Sequence, residues 1–443
     1  MASDRRARLW LRALAPAAIL VGGWLIFIAF AYPGLMSVDS FDQLGEGRAW
    51  FFTDSHPPAM AALWGVVERI VPGPFGMLAI QTGCFLAGTY LVLRRALAPV
   101  PAAVAASLVF LFPPVGASLA VVWKDCQMAG FLALGVGVLM HGRRAGLVPL
   151  MLATAMRYNA FAATLPLVVL LFEWRPGLGW LQRHAIAFAA WLAITAAAVG
   201  LNSGLVSKEM HFWASSFALV DLTGTLAKLE PDLPDGELAP LLAPTGIQVD
   251  HDFHATVRAH YTPGDFSKVV GPAPNLWAVT LGGTEPLPAP QREAIGHAWR
   301  ELVLGHPGAY LRYRFDSFAE VLGLRKKFTG TALMPRHWQH RDALERVAID
   351  EVDPPLANAY ERAAWWFVHH TPLARPWCYV LLAVIFLGFA RRDHEVLALL
   401  LSGLVLEASL LFLAVTPDYR YSHWLVVATC LALVLLVARR ARR

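Results

Sequence analysis

Apolar runs recur along most of the chain, near 12–32, 74–93, 101–122, 127–140, 146–156, 159–172, 184–201, 377–390, 395–415 and 423–438. They predict about ten membrane-crossing helices, although several are shorter than the roughly 20 residues that a straight span needs. The stretch 146–172 reads either as one kinked helix or as two short crossings, and parity separates these. With the N-terminal RRARLWLR in the cytoplasm, ten crossings put Arg94-Arg95, HGRR (141–144), EWRPGLGWLQR (173–183), ARRD (390–393) and ARRARR (438–443) on the cytoplasmic side, as the positive-inside rule asks. A single span at 146–172 would put ARRARR outside. Two short crossings and two cytoplasmic termini are therefore expected. The AFA at 29–31 resembles a signal-peptidase site, but the preceding run is long for a signal peptide, so an uncleaved anchor is expected.

The pattern changes at 203–375, where polar residues and Pro/Gly breaks such as PDLPDGELAP and LGGTEPLPAP replace the apolar runs. The expected organisation is an N-terminal transmembrane module (1–202) with a first outer loop at 33–72, an α-rich extracytoplasmic segment (203–375) and C-terminal transmembrane helices (376–443). Within the polar segment, 290–324 has helical spacing at Ile295, Trp299, Leu302 and Val303, a break at Gly305-His306-Pro307, then Tyr310, Tyr313, Phe315 and Phe318 beside Arg312 and Arg314. That pattern suits a membrane-surface helix and equally a helix packed on the extracytoplasmic body.

Composition agrees with a polytopic, all-α membrane protein. The 443 residues are 57% hydrophobic and 16% charged, with mean hydropathy +0.49, against about 25% charged in an average soluble domain. The net charge of +5 comes from short Lys/Arg clusters at the ends of apolar runs. These read as topology signals rather than a nucleic-acid surface. Cys84, Cys126, Cys378 and Cys430 have no paired spacing, so neither a disulfide framework nor a zinc site is expected.

Against this background SVDSFDQLGEGRAWFFTDSHPP (37–58) stands out, with Asp39, Asp42, Glu46, Asp54 and His56 together in the first outer loop. Ser37 or Asp39 suits a helix N-cap, which would account for an acid locally. Yet the same face also receives VVWKDCQ (121–127), AMRYNAF (155–161) and TPDYRYSHW (416–424). Asp39, Asp54, Asp125 and Asp418 would then share a rim with Lys124, Arg157 and Arg420. Each alone admits a snorkelling or topology role; charges at span ends also mark function.

A carboxylate that takes a proton from a hydroxyl, beside fixed cations that hold an anionic leaving group, suits transfer from a lipid-phosphate-linked sugar. VDS, followed about fifteen residues later by FFTDSHPPAMAAL, resembles the first-loop pattern of the protein O-mannosyltransferases and related GT-C glycosyltransferases. There an acidic motif precedes an aromatic-Asp-x-His-Pro-Pro turn and a membrane-surface helix. PPAMAALWGVVERI (57–70) fits that helix, with Pro57 and Pro58 opening it. The resemblance covers about the first 200 residues and extends to an acid in the second outer loop, Asp125. It departs in having Ser40 after Asp39, where the family often has an acidic pair, and in Asp125 standing beside Lys124 where two acids often flank one residue. Both departures put a divalent metal in doubt.

The resemblance implies a GT-C-like fold and an inverting glycosyltransferase of the bacterial plasma membrane, the ER lumen being topologically equivalent. Its donor would be a polyprenyl-phosphate sugar, and its acceptor a glycan, lipid or protein. Asp39 would be the base, with Asp125 the second catalytic acid. Lys124, Arg157, Arg420 and Tyr419 would hold the donor phosphate, Asp125, Asp54 and His56 would orient the acceptor, the loop or a metal, and Asp42 and Asn159 would support the site. The alternatives are a lipid-linked glycan flippase, for which Glu407 is the obvious intramembrane acid, and a non-catalytic envelope assembly protein.

Reporter fusions after Arg95, Arg144, Arg183 and Arg392 should all read cytoplasm. An outside signal at Arg183 would remove the two-short-crossings assignment.

Overall fold

The computed structural model describes residues 2–442 except 248, 250–251, 266, 271–275, 278–284, 326–343 and 346, with side chains from residue 14 onward. The first apolar run is helix α1 (Ala2–Ala31), and the loop after it folds into α2 (Val38–Ala49) and α3 (Pro58–Glu68). The next runs form α4 (Phe75–Leu93), α5 (Pro99–Leu111), α6 (Pro113–Leu119), α7 (Lys124–Met140), α8 (Leu147–Met156), α9 (Ala160–Leu171) and α10 (Trp180–Leu205). The polar segment holds α11 (Ala218–Ala227), α12 (Asp235–Leu242), α13 (Phe253–His260), α14 (Ser267–Val270), α15 (Ala289–Trp299), α16 (Pro307–Val321) and α17 (Ala357–His370). The last runs form α18 (Pro376–Ala390), α19 (His394–Leu413) and α20 (His423–Arg440). Among the described residues there is no strand, only the isolated bridges Leu35 to Val121 and Thr53 to Lys208.

Every apolar run is thus helical, but five helices are long and apolar enough to cross a bilayer: Leu14–Ala31, Phe75–Leu93, Trp180–Leu205, His394–Leu413 and Tyr419–Arg440. The run at 101–122 is not straight. It bends by 70° between α5 and α6, and counting that pair as one broken span makes six. Pro113 and Pro114 explain the bend, because proline has no N–H to donate and its ring clashes with the preceding turn. The stretch 146–172 is two helices, separated at Arg157-Tyr158-Asn159.

The helices of 1–202 and 376–443 share one hydrophobic core, which contains Phe27, Trp64, Phe85, Phe110, Leu167 and Trp424. Small residues set the close approaches. Gly130 lies so near α4 that a Cβ there would stand 2.6 Å from Gln81 O. Such contacts let helix backbones meet where the surrounding lipid supplies no hydrophobic drive of its own. Arg95, at the C-terminal end of α4, reaches Glu395 of α19 at 2.7 Å, and Arg439 of α20 pairs with Asp393 and Glu395. This cluster marks one end of the bundle. The other end of α20 lies 18 residues away, about 27 Å at 1.5 Å per residue.

The polar segment has its own core, which includes Leu219, Leu226, Phe253, Val257, Ile295 and Tyr313, and a small joint of Val321, Leu410 and Ala414 seats α16 on α19. The helix expected over 290–324 breaks at His306-Pro307 as its sequence indicates. Its basic and aromatic residues divide between two faces, with Arg312 and Phe315 more than half exposed. Arg314 is 1% exposed and ion-paired with Asp221, and Tyr313 is equally buried. The Tyr313–Arg314 face of α16 is therefore packed on the polar segment's own core.

α2 carries Asp39 and is held against α3 by a glycine pair, Gly47 and Gly65. A Cβ on Gly47 would stand 2.6 Å from Ala61 O and 2.9 Å from Gly65 N, whereas one on Gly45 meets nothing within 4 Å. Alanine gains about 1 kcal/mol over glycine in a helix, so Gly45→Ala should hold or raise the melting temperature in detergent. Gly47→Ala should lower it, since overpacking typically costs about 1–3 kcal/mol. Equal shifts would show that the α2–α3 contact is not tight.

Candidate functional site

Two turns that are distant in sequence are stitched together by backbone. Leu35 N donates to Ala120 O and Val122 N to Leu35 O, both at 2.9 Å. Side chains extend the seam: Ser40 Oγ donates to Val122 O at 2.8 Å, and Trp123 Nε1 to Ser37 Oγ at 2.7 Å. Ser37 occupies the N-cap of α2, and its N–H donates to Ser40 Oγ at 3.1 Å. The capping role thus falls to serines, and Asp39 in the first turn directs its carboxylate elsewhere. The seam sets the start of α2 beside the start of α7, so Asp39 faces Lys124 and Asp125.

Two arginines complete the cluster. Arg157 comes from the joint between α8 and α9, and Arg420 from the short turn Tyr419–Ser422 before α20. Arg420 Nη1 lies 2.9 Å from Asp39 Oδ2, its Nη2 3.1 Å from Asp418 Oδ2, and its Nε 3.9 Å from Asp125 Oδ2. Arg157 pairs with Asp125, and Lys124 Nζ stands 3.8 Å from Asp39 Oδ2. Aromatic faces back the guanidinium groups, with Arg420 4.8 Å from the Trp123 ring and Arg157 4.7 Å from that of Tyr421. Three cations therefore meet three carboxylates. Asp125 is fully buried and Arg420 is 8% exposed, while the Asp39 side chain keeps 24% of its surface open. Removing one partner of so buried a pair typically costs about 3–5 kcal/mol, because the other charge is left uncompensated.

Electrostatics follow from that geometry. Burial opposes the charge on Asp39, but Arg420 and then Lys124 outweigh it and hold the carboxyl well below the usual carboxylate range. Burial, helped by the Lys124 ammonium, pushes His56 down to about 3, so its neutral Nδ1 accepts from Lys124 Nζ at 2.8 Å. Lys124 itself is pushed down to about 8, burial outweighing the attraction of Asp39. Within this cluster the buried Arg420 Nε and Asp125 Oδ2 make no hydrogen bond. A buried donor without an acceptor is costly, and an incoming anion would satisfy it.

Asp39, Asp125, Lys124, Arg157, Arg420 and His56 are thus brought together. Others expected near them are not. Tyr419 is fully buried and donates to Pro114 O at 3.0 Å, which anchors the turn to α6. Asn159 Nδ2 donates to Ser409 Oγ at 3.0 Å, joining α9 to α19. Asp54 accepts from the backbone N–H groups of Met210 and His211, the latter at 3.1 Å, and so ties the first loop to the polar segment. Asp42 lies on the exposed face of α2. Trp123 escaped the sequence reading. Its signal was its place next to Lys124, where an interfacial tryptophan explains itself without a role in the cluster.

The donor set also bears on a metal. Asp39 and Asp125 both face guanidinium groups, and among the described residues no three His, Cys, Asp or Glu side chains gather at one point. Carboxylates already matched by three cations do not fit a divalent metal.

Comparison of the chain with family models, curated proteins and solved structures gives no match.

Proposed function

We propose that the chain is an inverting, GT-C-like glycosyltransferase that moves a sugar from a polyprenyl-phosphate donor to an acceptor hydroxyl at the outer face of a membrane. The observation that carries this reading is the meeting of a partly exposed Asp39 with Arg420 and Lys124, beside Arg157, at one end of an apolar helical bundle. The ten apolar helices would all cross, with both termini and the Arg95–Glu395–Arg439 cluster in the cytoplasm. The rim would then lie at the depth of lipid phosphates, and the donor's prenyl tail between helices.

Asp39 would accept the acceptor's hydroxyl proton as that oxygen attacks the anomeric carbon. The bond from that carbon to the phosphate oxygen breaks, and the electron pair leaves with the polyprenyl phosphate toward Arg420, Arg157 and Lys124. In the structure Arg420 is occupied by carboxylates. A donor phosphate would draw Arg420 from Asp39, and the loss of that cation would let the carboxyl climb back toward its ordinary range, where it is a better base. Bidentate recognition of phosphate suits arginine better than lysine. The flippase reading gains nothing from Glu407, which is buried within α19 and accepts from Ser422 Oγ at 2.9 Å, a contact between packed helices.

Asp39→Asn should lower turnover of a radiolabelled polyprenyl-phosphate sugar by about 10²- to 10⁴-fold, the usual loss for a general base. Asp42→Asn, three residues along the same helix, should stay near wild type. Melting temperatures recorded alongside separate loss of chemistry from loss of fold. Wild-type turnover in Asp39→Asn, or equal losses in the two variants, would move the base elsewhere, with Asp125 next in line.

A further inference from the structure

Beside the charged rim lies a cavity of about 850 Å³ between the polar segment and the outer ends of the bundle helices. Its size falls within the roughly 300–1,000 Å³ of small-molecule sites. The walls mix two kinds of group. Phe212, Trp213, Phe217, Trp299 and Tyr310 supply aromatic rings. Arg292, Glu293, Gly296 and Arg300, spaced along one face of α15 and the turn after it, supply charge and an open gap. Trp213 is 48% exposed, so a large apolar ring stands in the opening uncovered.

The aromatic wall is held from behind. Trp299 Nε1 donates to Asp221 Oδ2 at 3.0 Å, and Asp221 also accepts from Tyr313 OH at 3.1 Å and pairs with the buried Arg314. Trp213 meets Trp299 edge to face, with centroids 5.7 Å apart. On the adjoining wall, His211 has a φ of +52°, a left-handed conformation that is uncommon outside glycine. Asp54 holds it there through the N–H of His211 at 3.1 Å, and strained residues of this kind cluster at ligand sites. The cavity also adjoins the rim in sequence. Tyr158, which follows Arg157, lines it and donates to Asp54 O at 3.2 Å, and Asp54 lies two residues from His56.

We propose that this cavity is a saccharide site, which takes a sugar ring against Trp213 with its hydroxyls on Arg292, Glu293 and Arg300. A pyranose has apolar C–H faces and a polar edge, and rings interleaved with charged groups match both. A prenyl or acyl chain would leave those charges facing hydrocarbon, which is costly. The site's role as the acceptor subsite rests on the glycosyltransferase reading; sugar binding itself does not. On that reading the acceptor is a glycan rather than a peptide.

The test is saturation-transfer NMR on the full chain in detergent, with methyl glycosides of glucose, mannose, galactose, rhamnose, arabinose and N-acetylglucosamine at millimolar concentration. At least one should receive saturation from the wild type, and Trp213→Ala should reduce that signal at least fivefold at an unchanged melting temperature. Trp299→Phe, which keeps a ring but drops the bond to Asp221, should reduce it less. No transfer to any glycoside, or equal transfer in wild type and Trp213→Ala, would overturn the proposal. Displacement of the sugar by farnesyl phosphate would also overturn it, by assigning the cavity to a lipid chain. Donor consumption measured on the same sample separates the two readings. Consumption without glycoside binding fails this one alone, and binding without consumption fails the glycosyltransferase reading alone.

Discussion

The contact between Arg420 and Asp39 joins the turn before α20 to the loop after α1, and the charged end of the bundle is organised around it. Arg420 lies 2.9 Å from one carboxylate, 3.1 Å from a second and 3.9 Å from a third, with the Trp123 ring beneath its guanidinium. Three carboxylates without cations could not be gathered at such low exposure, because like charges in a poor dielectric repel and would take up protons. Arg420 and Arg157 make that density of acid possible. In return the acids make a buried arginine possible beside the apolar core.

Such a balance is stable and also exchangeable. Asp125 is fully buried and held by Arg157, so that part of the cluster is fixed. Asp39 sits at the open edge on a short helix, and the helix is pinned by the Leu35–Val122 seam on one side and the Gly47–Gly65 approach on the other. Its carboxylate can therefore change partners without the bundle moving. A phosphate is the natural competitor, as it offers Arg420 oxygens in the same fork-matching geometry as a carboxylate.

Much of this was legible from residue order because membrane chemistry is restrictive. Apolar runs must be helices when the bilayer offers no hydrogen bonds, and all ten are. Basic clusters gave the parity that brings loops 33–72, 121–127, 155–161 and 416–424 to one side, and six of the rim charges, Asp39, Asp125, Asp418, Lys124, Arg157 and Arg420, do meet. What failed was phase within short turns. Tyr419 and Arg420 are neighbours, yet one points into the core to reach Pro114 and the other into the cluster. A four-residue turn has no periodicity from which to read that choice. The partners of Asn159 and Asp54 were illegible for a related reason. Their hydrogen-bond partners, Ser409 and the 210–211 backbone, lie about 250 and 155 residues away, and only the packed fold brings them near. The face of α16 was ambiguous because the buried partner of Arg314 is Asp221, from a helix that no local pattern connects to it.

The central claim is that Arg420 exchanges Asp39 for a phosphate. An experimental structure of the protein bound to a polyprenyl monophosphate, the leaving group of the proposed reaction, tests it most directly. The account predicts the phosphate within hydrogen-bond distance of Arg420, with the Arg420–Asp39 contact opened and Arg157 still on Asp125. A phosphate bound elsewhere, with Arg420 unmoved at 2.9 Å from Asp39, would contradict it.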